Sequence, residues 1–301
     1  MSARPGVAPR LRYLGGSPTR WVRRTRRRTD ATTQILLLLV LSAGALVMLV
    51  PFAWMIATSL SRQADIAMPR IPRFWPPDPS IFNYRIALQN LPLLRYYLNS
   101  VIVVGASTVG YLFFSALTGY AFAKGTFRGK QFFFVAFLTT LLIPFETRMI
   151  PLYLLMNDLH LNDTLPALVV PFLVGGFGTF LMRQYISTIP DEFIQAARID
   201  GASEFLIFRR IILPLSVPAL AALAVINILW RWNDVLWPLL VISDPHKYTV
   251  TLGLAFEGKS QGTYVGVALA TATIAIMPVL IAFVVLQRRI ISGITMGGIK
   301  G

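Results

Sequence analysis

The sequence predicts an all-α membrane protein with six transmembrane helices, and two observations support that prediction. Of its 301 residues, 55% are hydrophobic and only 14% are charged, whereas soluble chains contain about 25% charged residues. Six apolar stretches also approach or exceed the roughly 20 residues that cross the hydrocarbon core of a bilayer. A single buried core would not need six such stretches.

Five of the stretches contain no charged residue. They are 31, 28, 19, 20 and 28 residues long and lie between Asp30 and Arg62, Arg95 and Lys124, Asp163 and Arg183, Arg210 and Arg231, and Lys259 and Arg288. The remaining stretch, third in chain order, extends from about Gln131 to Leu155 and is interrupted by Glu146 and Arg148. We therefore expect a six-span domain over residues 31–287, between a basic, disordered tail of residues 1–30 and a C-terminal tail of residues 288–301.

The distribution of Lys and Arg predicts which side of the membrane each loop faces. Nineteen of the 28 cations lie in the two tails and in the loops that follow the second and fourth stretches, and seven lie in the alternate loops. Cytoplasmic loops carry an excess of Lys and Arg. Both tails are therefore predicted to be cytoplasmic, with an external loop over residues 61–97 and a cytosolic loop over residues 183–210.

The net charge of +15 is compatible with two kinds of partner. Nucleic-acid-binding domains are strongly basic, but they are richer in charge overall than this chain. Arginines in front of a first span set its orientation and contact anionic lipid headgroups. We therefore expect membrane lipid as a partner and no nucleic acid.

The composition and one misleading motif limit the chemistry of the chain. It contains no cysteine and two histidines, which excludes disulfides, Cys nucleophiles and thiolate zinc sites and argues against a His-based metal centre. Residues 253–260 satisfy the phosphate-binding pattern G-x4-G-K-[ST], but that motif requires a strand, loop and helix inside a βαβ domain. Because the long flanking segments are predicted spans, we interpret residues 253–260 as a loop before the sixth span and expect no cofactor.

The cytosolic loop of residues 183–210 has the local signals of two short helices. Thr188 followed by Asp191 resembles a capping box at the start of the first helix. Gly201 suits the end of that helix, and Ser203 suits the cap of a second helix that continues to about Ile212. We therefore predict a helical hairpin between the fourth and fifth spans.

One face of the first hairpin helix is suited to contact. Phe193, Ala196, Ala197 and Asp200 share that face by helical periodicity, and the two alanines permit close approach of a partner. A helix that lies on the lipid surface shows similar periodicity. Periodicity alone leaves docking on a protein and lying on lipid as equal alternatives.

The hairpin sequence resembles the Glu-Ala-Ala loop of the permease subunits of ATP-binding-cassette (ABC) importers. The positions that match its spacing are Ala196, Ala197, Gly201, Ile211, Leu213 and Pro214. The run from Ala196 to Ser203 is similar to the carbohydrate-uptake branch, of the maltose and glycerol-phosphate type. The chain departs from the pattern at Gln195, where the family has Glu.

The resemblance implies a set of partners and a division of labour. The chain would be a permease in a bacterial inner membrane, paired with a homologous second permease, driven by a dimer of cytosolic ABC ATPases and supplied by an external solute-binding protein. It implies a sugar or sugar-like solute, with glycerol-3-phosphate or another polar solute as the alternative, and ATP hydrolysis on the partner. It also implies a coupling-helix hairpin whose ATPase-docking residues are Phe193, Gln195, Ala196, Ala197, Asp200, Gly201 and Ser203.

Two clusters of polar residues within the spans are candidates for a solute pathway, because charged groups there are costly and often functional. Glu146 and Arg148 form the first cluster, and a structural pair or a contact with the second permease is the alternative. The second cluster is Trp230, Arg231, Trp232, Asn233 and Asp234, whose indoles and polar groups suit sugar rings. An aromatic belt at the membrane interface is the alternative for the second cluster. A polytopic membrane enzyme is a distant alternative function, since it would need clustered catalytic side chains.

Overall fold

The structure is a computed structural model, and it describes residues 31–62, 74–76, 78–260, 265–278 and 280–281. The predicted tails of residues 1–30 and 288–301 lie outside the described residues. The chain divides into two compact units, Met1–Val50 and Pro51–Gly301. Throughout its described residues the regular structure is helical, apart from one isolated bridge between Ser61 and Pro79.

Within the described residues, α-helices of very different length follow one another. They are α1 (Ala31–Ser59), α2 (Phe82–Asn90), α3 (Leu93–Lys124), α4 (Lys130–Thr139), α5 (Phe145–Asp158), α6 (Leu165–Val169), α7 (Gly176–Ile186), α8 (Asp191–Ile199), α9 (Glu204–Ile207), α10 (Leu213–Leu215), α11 (Val217–Trp232), α12 (Leu236–Val241), α13 (Val250–Ser260) and α14 (Val265–Pro278). A π-helical turn, Phe208–Ile212, joins α9 to α10.

Two of these helices are long and apolar enough to cross a membrane unaided, namely α1 and α3. Two bent pairs pass the same test together: Leu165–Phe172 with Gly176–Ile186, bent by 45°, and Glu204–Leu215 with Val217–Trp232, bent by 75°. By length and composition the described residues therefore contain two spans, or four if each bent pair is one span. The count of six stays a prediction.

The third apolar stretch is broken into two helices. The first, α4, ends at Thr139, and the second, α5, begins at Phe145, directly after Pro144 in an extended conformation. The hydroxyls of Thr139 and Thr140 donate to carbonyls in the last turn of α4. The break therefore lies at Pro144, whereas Pro151 is accommodated inside α5.

Close packing of α3 against α7 forms the centre of the second unit. A Cβ atom at Gly119 of α3 would lie 2.5 Å from Cβ of Met182 and 2.9 Å from the backbone N of Arg183. Glycine at this position thus allows the two backbones to approach. The hydroxyl of Thr108 on α3 donates to Asn227 Oδ1 on α11 at 3.0 Å, which connects a third helix to the pair.

Two local predictions are wrong. The hydroxyl of Thr188 donates to the carbonyl of Tyr185 at 2.7 Å, and the residue that precedes α8 is Pro190, so Thr188 does not cap the helix. Residues 253–260 lie inside α13 rather than in a loop. Their helical conformation also differs from the loop that a phosphate-binding motif requires.

Candidate functional site

The predicted hairpin is present at residues 191–212, and its turn is fixed by local backbone geometry. Gly201 has a φ of +78°, the left-handed conformation that glycine adopts most readily. Its N–H donates to the carbonyl of Arg198, and the N–H of Ala202 donates to the carbonyl of Ala197 at 2.9 Å. These two bonds form a Schellman motif that ends α8.

The second helix of the hairpin begins as predicted at Ser203. The Ser203 hydroxyl accepts a hydrogen bond from the N–H of Leu206 at 3.4 Å, and α9 starts at the next residue. Because both ends of the turn carry their own caps, the connection between α8 and α9 has a defined shape.

The inner side of the hairpin packs on the rest of the second unit. Ile194, Ile207 and Phe208 are buried, and they share one apolar cluster with Tyr120 of α3 and Met182 of α7. The buried residue of α8 is Ile194, and most of the face predicted to contact a partner is left exposed. This packing fixes the position of the hairpin relative to α3 and α7.

Polar contacts fasten the hairpin to the last turn of α3. Lys124 Nζ binds the carboxylate of Asp191 at 2.5 Å and the carbonyl of Ile189 at 2.6 Å. The Tyr120 hydroxyl donates to Glu204 Oε2 at 2.7 Å, and Arg198 Nε donates to Glu204 Oε1 at 2.8 Å. The hydrogen bond from Arg198, followed by that from Tyr120, holds the pKa of Glu204 below its usual value.

The outer side of the hairpin presents apolar side chains to its surroundings. Ile199 is 87% exposed, Phe205 is 63% exposed and Phe193 is 53% exposed. Of the predicted docking residues, Ala197 is half-buried and the following are exposed: Phe193, Gln195, Ala196, Asp200, Gly201 and Ser203. Exposed apolar surface on a rigid support is typical of a contact site.

A cavity of about 640 Å³ lies among α3, α4, α5, α7 and α11. Three of the predicted pathway residues line it: Arg148 of α5 and both Trp230 and Arg231 of α11. The structure thus places one member of the first predicted cluster and two members of the second at one cavity. Aromatic rings line much of the remaining wall, among them Phe145 and Phe172, whose centroids are 5.7 Å apart.

The other four predicted pathway residues do not line this cavity. Glu146 is exposed in the first turn of α5, and no ion pair joins it to Arg148 among the described residues. Trp232 is buried, with its ring 6.2 Å from that of Tyr97. Asn233 donates to the carbonyl of Leu229 at 2.8 Å, within its own helix. Asp234 pairs with Arg231.

Arg231, which lines the cavity, forms an ion pair with Asp234, which does not line it. Arg231 Nη1 lies 3.0 Å from Asp234 Oδ2, and the two side chains are 15% and 14% exposed. Asp234 Oδ1 also accepts the N–H of Trp237 at 3.3 Å, and the Arg231 guanidinium lies 3.7 Å from the centroid of the Phe172 ring. These contacts fix the Arg231 guanidinium beside the cavity.

Sequence reasoning missed three polar residues of the cavity, Tyr111, Thr140 and Asn227. Asn227 is a buried amide inside an apolar run of 20 residues, and a polar group in such a place was a usable signal. Tyr111 gave no comparable signal, because tyrosine occurs at many structural positions in membrane helices.

A second polar cluster joins the turn after α5 to the turn after α12. Asp163 accepts the N–H groups of Ser243 and Asp244, and its Oδ2 lies 2.9 Å from Lys247 Nζ. Partial burial raises the pKa of Asp163, but the bonds from Asp244, Lys247 and Ser243 outweigh it and the net shift is downward. Arg95 Nη1 contacts His246 Nδ1 at 3.1 Å in the same region.

Comparison with known proteins identifies the family. Residues 112–295 match the family described as the binding-protein-dependent transport system inner membrane component. The chain belongs to this family. The resemblance noted at the hairpin is confirmed, and the chain is a membrane-embedded transport subunit of the ABC importer type rather than an enzyme.

The curated relatives are permeases. The arabinooligosaccharides transport system permease protein AraQ of Halalkalibacterium halodurans is 42% identical over 203 residues, which cover 67% of this chain and 73% of AraQ. The sn-glycerol-3-phosphate transport system permease protein UgpE of Brucella suis is 34% identical over 265 residues, which cover 85% of this chain and 94% of UgpE.

A solved structure shares the fold. A chain of a bacterial ABC transporter involved in the import of the acidic polysaccharide alginate matches with a TM-score of 0.75 and 28% identity, over 87% of this chain and 97% of that one. The all-helical architecture described above is therefore that of an ABC importer permease.

Proposed function

We propose that this chain is one of two permease subunits that together import a sugar or sugar-like solute. An external binding protein delivers the solute, and a pair of cytosolic ATPases drives its passage. The family, an inner membrane component of binding-protein-dependent transport systems, supports this arrangement of subunits. The relatives named for arabinooligosaccharide and for alginate import support the class of solute. The relative named for sn-glycerol-3-phosphate supports that compound as the alternative solute.

The hairpin of residues 191–212 is the ATPase-docking element in this proposal. The observation that carries the docking assignment is its exposed apolar surface, Phe193, Ile199 and Phe205, beside a turn fixed by the Schellman motif at Gly201. Gln195, Ala196, Ala197, Asp200 and Ser203 complete the docking surface. A flat lipid surface would not require a turn of such defined shape, whereas insertion into a cleft would.

Movement of the docked hairpin is transmitted to α3. Lys124 and Tyr120 at the end of α3 hold Asp191 and Glu204 of the hairpin. Farther along the same helix, Tyr111 lines the cavity, and Thr108 binds Asn227, which lines it as well. A displacement of the hairpin would therefore reach the cavity through a single continuous helix.

The six-span count, the cytoplasmic position of both termini and the division into tails and a domain of residues 31–287 belong to the same proposal. The excess of cations on the side of the hairpin supports this orientation. A cytosolic ATPase can bind the hairpin only if the hairpin lies in the cytoplasm, so the docking role requires this orientation of the chain.

Substitution of Gly201 tests the docking role. A Cβ at Gly201 meets nothing within 4 Å, so the side chain of Gly201→Trp starts from open space at the turn. Any L-residue at this φ adds strain of about 1–2 kcal/mol, and Gly201→Ala carries the same strain without the bulk. We expect Gly201→Trp to abolish solute-stimulated ATP hydrolysis and uptake in the assembled importer, and Gly201→Ala to retain most of both. Full activity of Gly201→Trp at normal membrane levels would contradict the docking role.

A further inference from the structure

The polar side chains around the cavity carry positive charge and no negative charge. Among the described residues that line it, Arg148 and Arg231 are charged, and neither Asp nor Glu is present. Charged groups inside spans are costly, and those that face a cavity commonly mark a solute pathway. The sign of the charge is therefore informative about the solute.

The two arginines differ in how their charge is balanced. Arg231 pairs with Asp234 at 3.0 Å, so that site is close to neutral as a unit. Arg148 takes part in none of the ion pairs found among the described residues, and its guanidinium lies 6.0 Å from the centroid of the Phe145 ring. Arg148 thus leaves a net positive charge at the cavity wall.

Most of the neutral polar side chains at the wall are positioned to donate hydrogen bonds. The exception is Thr140, whose hydroxyl donates to the carbonyl of Phe137 at 2.7 Å and keeps its lone pairs for accepting. Asn227 Oδ1 already accepts the Thr108 hydroxyl at 3.0 Å, which leaves the Nδ2 hydrogens as its free groups. The Tyr111 oxygen accepts the N–H of Gly178 at 2.9 Å, which leaves its own O–H free to donate. Trp230 contributes only a donor, its indole N–H.

We infer that the cavity accepts an anionic solute, namely a sugar that carries carboxylate groups or a phosphorylated sugar or polyol. Each hydroxyl of a neutral sugar both donates and accepts, whereas the polar side chains of this wall offer mostly donors. A carboxylate or phosphate only accepts, and it forms its strongest hydrogen bonds with guanidinium groups. The rings of Phe145 and Phe172 supply a flat apolar wall for the rest of the molecule.

This inference rests on the proposed function, because it assigns a solute class to an importer permease. The volume of about 640 Å³ lies within the usual range for small-molecule sites. The binding protein also selects the solute, but it is a separate polypeptide that a substitution in this chain leaves unchanged. A comparison between variants of this chain therefore isolates the contribution of the cavity.

The test is uptake by cells that lack the chromosomal copy of this chain and express it with its native partners. The probes are a radiolabelled uronate trisaccharide, its carboxyl-reduced neutral counterpart, and a glycerol phosphate beside free glycerol. The variants are Arg148→Gln, Arg148→Lys and, as a matched control, Arg128→Gln, which removes an exposed arginine far along the chain from α5. Immunoblots of isolated membranes establish equal levels of each variant.

We expect the wild-type chain to support uptake of the uronate or of the phosphate and not of its neutral counterpart. Loss of one charge-assisted hydrogen bond corresponds to about a tenfold to hundredfold weaker interaction, so Arg148→Gln should lower anion uptake at low solute concentration by about tenfold or more. Arg148→Lys should keep an intermediate level, and Arg128→Gln should match the wild type. The anion that is taken up distinguishes carboxylate from phosphate.

Two results would overturn the inference while the import function stands. One is uptake of a neutral probe at least equal to that of its anionic counterpart. The other is wild-type anion uptake by Arg148→Gln at an equal membrane level. Absence of uptake of both anionic probes in cells with the complete importer would also overturn the inference, while sugar import itself is tested separately by the Gly201 variants.

Discussion

The ion pair between Arg231 and Asp234 gives the most quantitative prediction about stability. Both side chains are about 85% shielded, and their charged atoms are 3.0 Å apart at the end of α11. Asp234 also accepts the N–H of Trp237, the first buried residue of α12. Asp234→Ala would therefore leave the guanidinium shielded without a counter-charge and the start of α12 without its hydrogen bond.

The expected cost follows from these contacts. Removal of one partner from a buried pair destabilises by about 3–5 kcal/mol, and the residual exposure of both groups favours the lower end. A loss of about 3 kcal/mol corresponds to a Tm decrease of roughly 6–12 °C, at about 2–4 °C per kcal/mol for domains of 150–250 residues. Replacement of both partners, Arg231→Met with Asp234→Leu, should recover most of this loss, because no charge is then left unpaired.

Thermal unfolding of the detergent-solubilised chain, monitored by the loss of the monodisperse chromatographic peak after heating, measures these shifts. Asn233→Ala is the matched control, since Asn233 is the exposed neighbour of Asp234 and donates only to a carbonyl of its own helix. The control should change stability by less than about 0.5 kcal/mol. A Tm for Asp234→Ala equal to that of Asn233→Ala would refute the reasoning, as would a double variant no more stable than Asp234→Ala.

Two further predictions concern helix packing and pH. Gly119→Ala should lower the Tm of the solubilised chain by the equivalent of about 1–3 kcal/mol, because its Cβ would overlap Met182. A Cβ at Gly105 meets nothing within 4 Å, so the control variant Gly105→Ala should be neutral or slightly stabilising. Equal Tm values for the two variants would contradict the close contact of α3 with α7. The Asp163–Lys247 pair should stabilise the chain above about pH 4 and lose that contribution as the pH falls through the lowered pKa of Asp163. The Tm should therefore fall more steeply between pH 5 and pH 3 in the wild type than in Asp163→Asn, and parallel curves would show that the pair contributes nothing.

Features that depend on neighbouring residues in the chain were predictable from the sequence. Gly201 ends α8 and Ser203 caps α9 because both act through backbone groups within a few residues. The first cap was predicted wrongly, because Thr188 binds back to Tyr185 and Pro190 precedes the helix instead. Competition between local hydrogen bonds of similar strength decided that position.

Features that depend on the packing of distant segments were not predictable to the same extent. The sequence marked Arg148 and Arg231 as candidates, but only the fold places both at one cavity and turns Asp234 toward Arg231. Tyr111 and Asn227 become cavity residues because α3 packs against both α7 and α11. Residues 253–260 are helical although they contain two glycines, and Gly253 packs closely against Tyr96 of α3, a tertiary contact that local propensity does not reveal.

Docking of the hairpin of residues 191–212 on the ATPase is the central claim, and site-specific cross-linking tests it most directly. The chain contains no cysteine, so Ile199→Cys introduces a single thiol at a position that is 87% exposed. Leu94→Cys, at a position that is 76% exposed in the first turn of α3, is the matched control. In membranes that contain the whole importer, a thiol-to-amine cross-linker should join this chain to the ATPase from position 199 and not from position 94. Absence of that adduct from position 199, or an equal yield from position 94, would contradict the account.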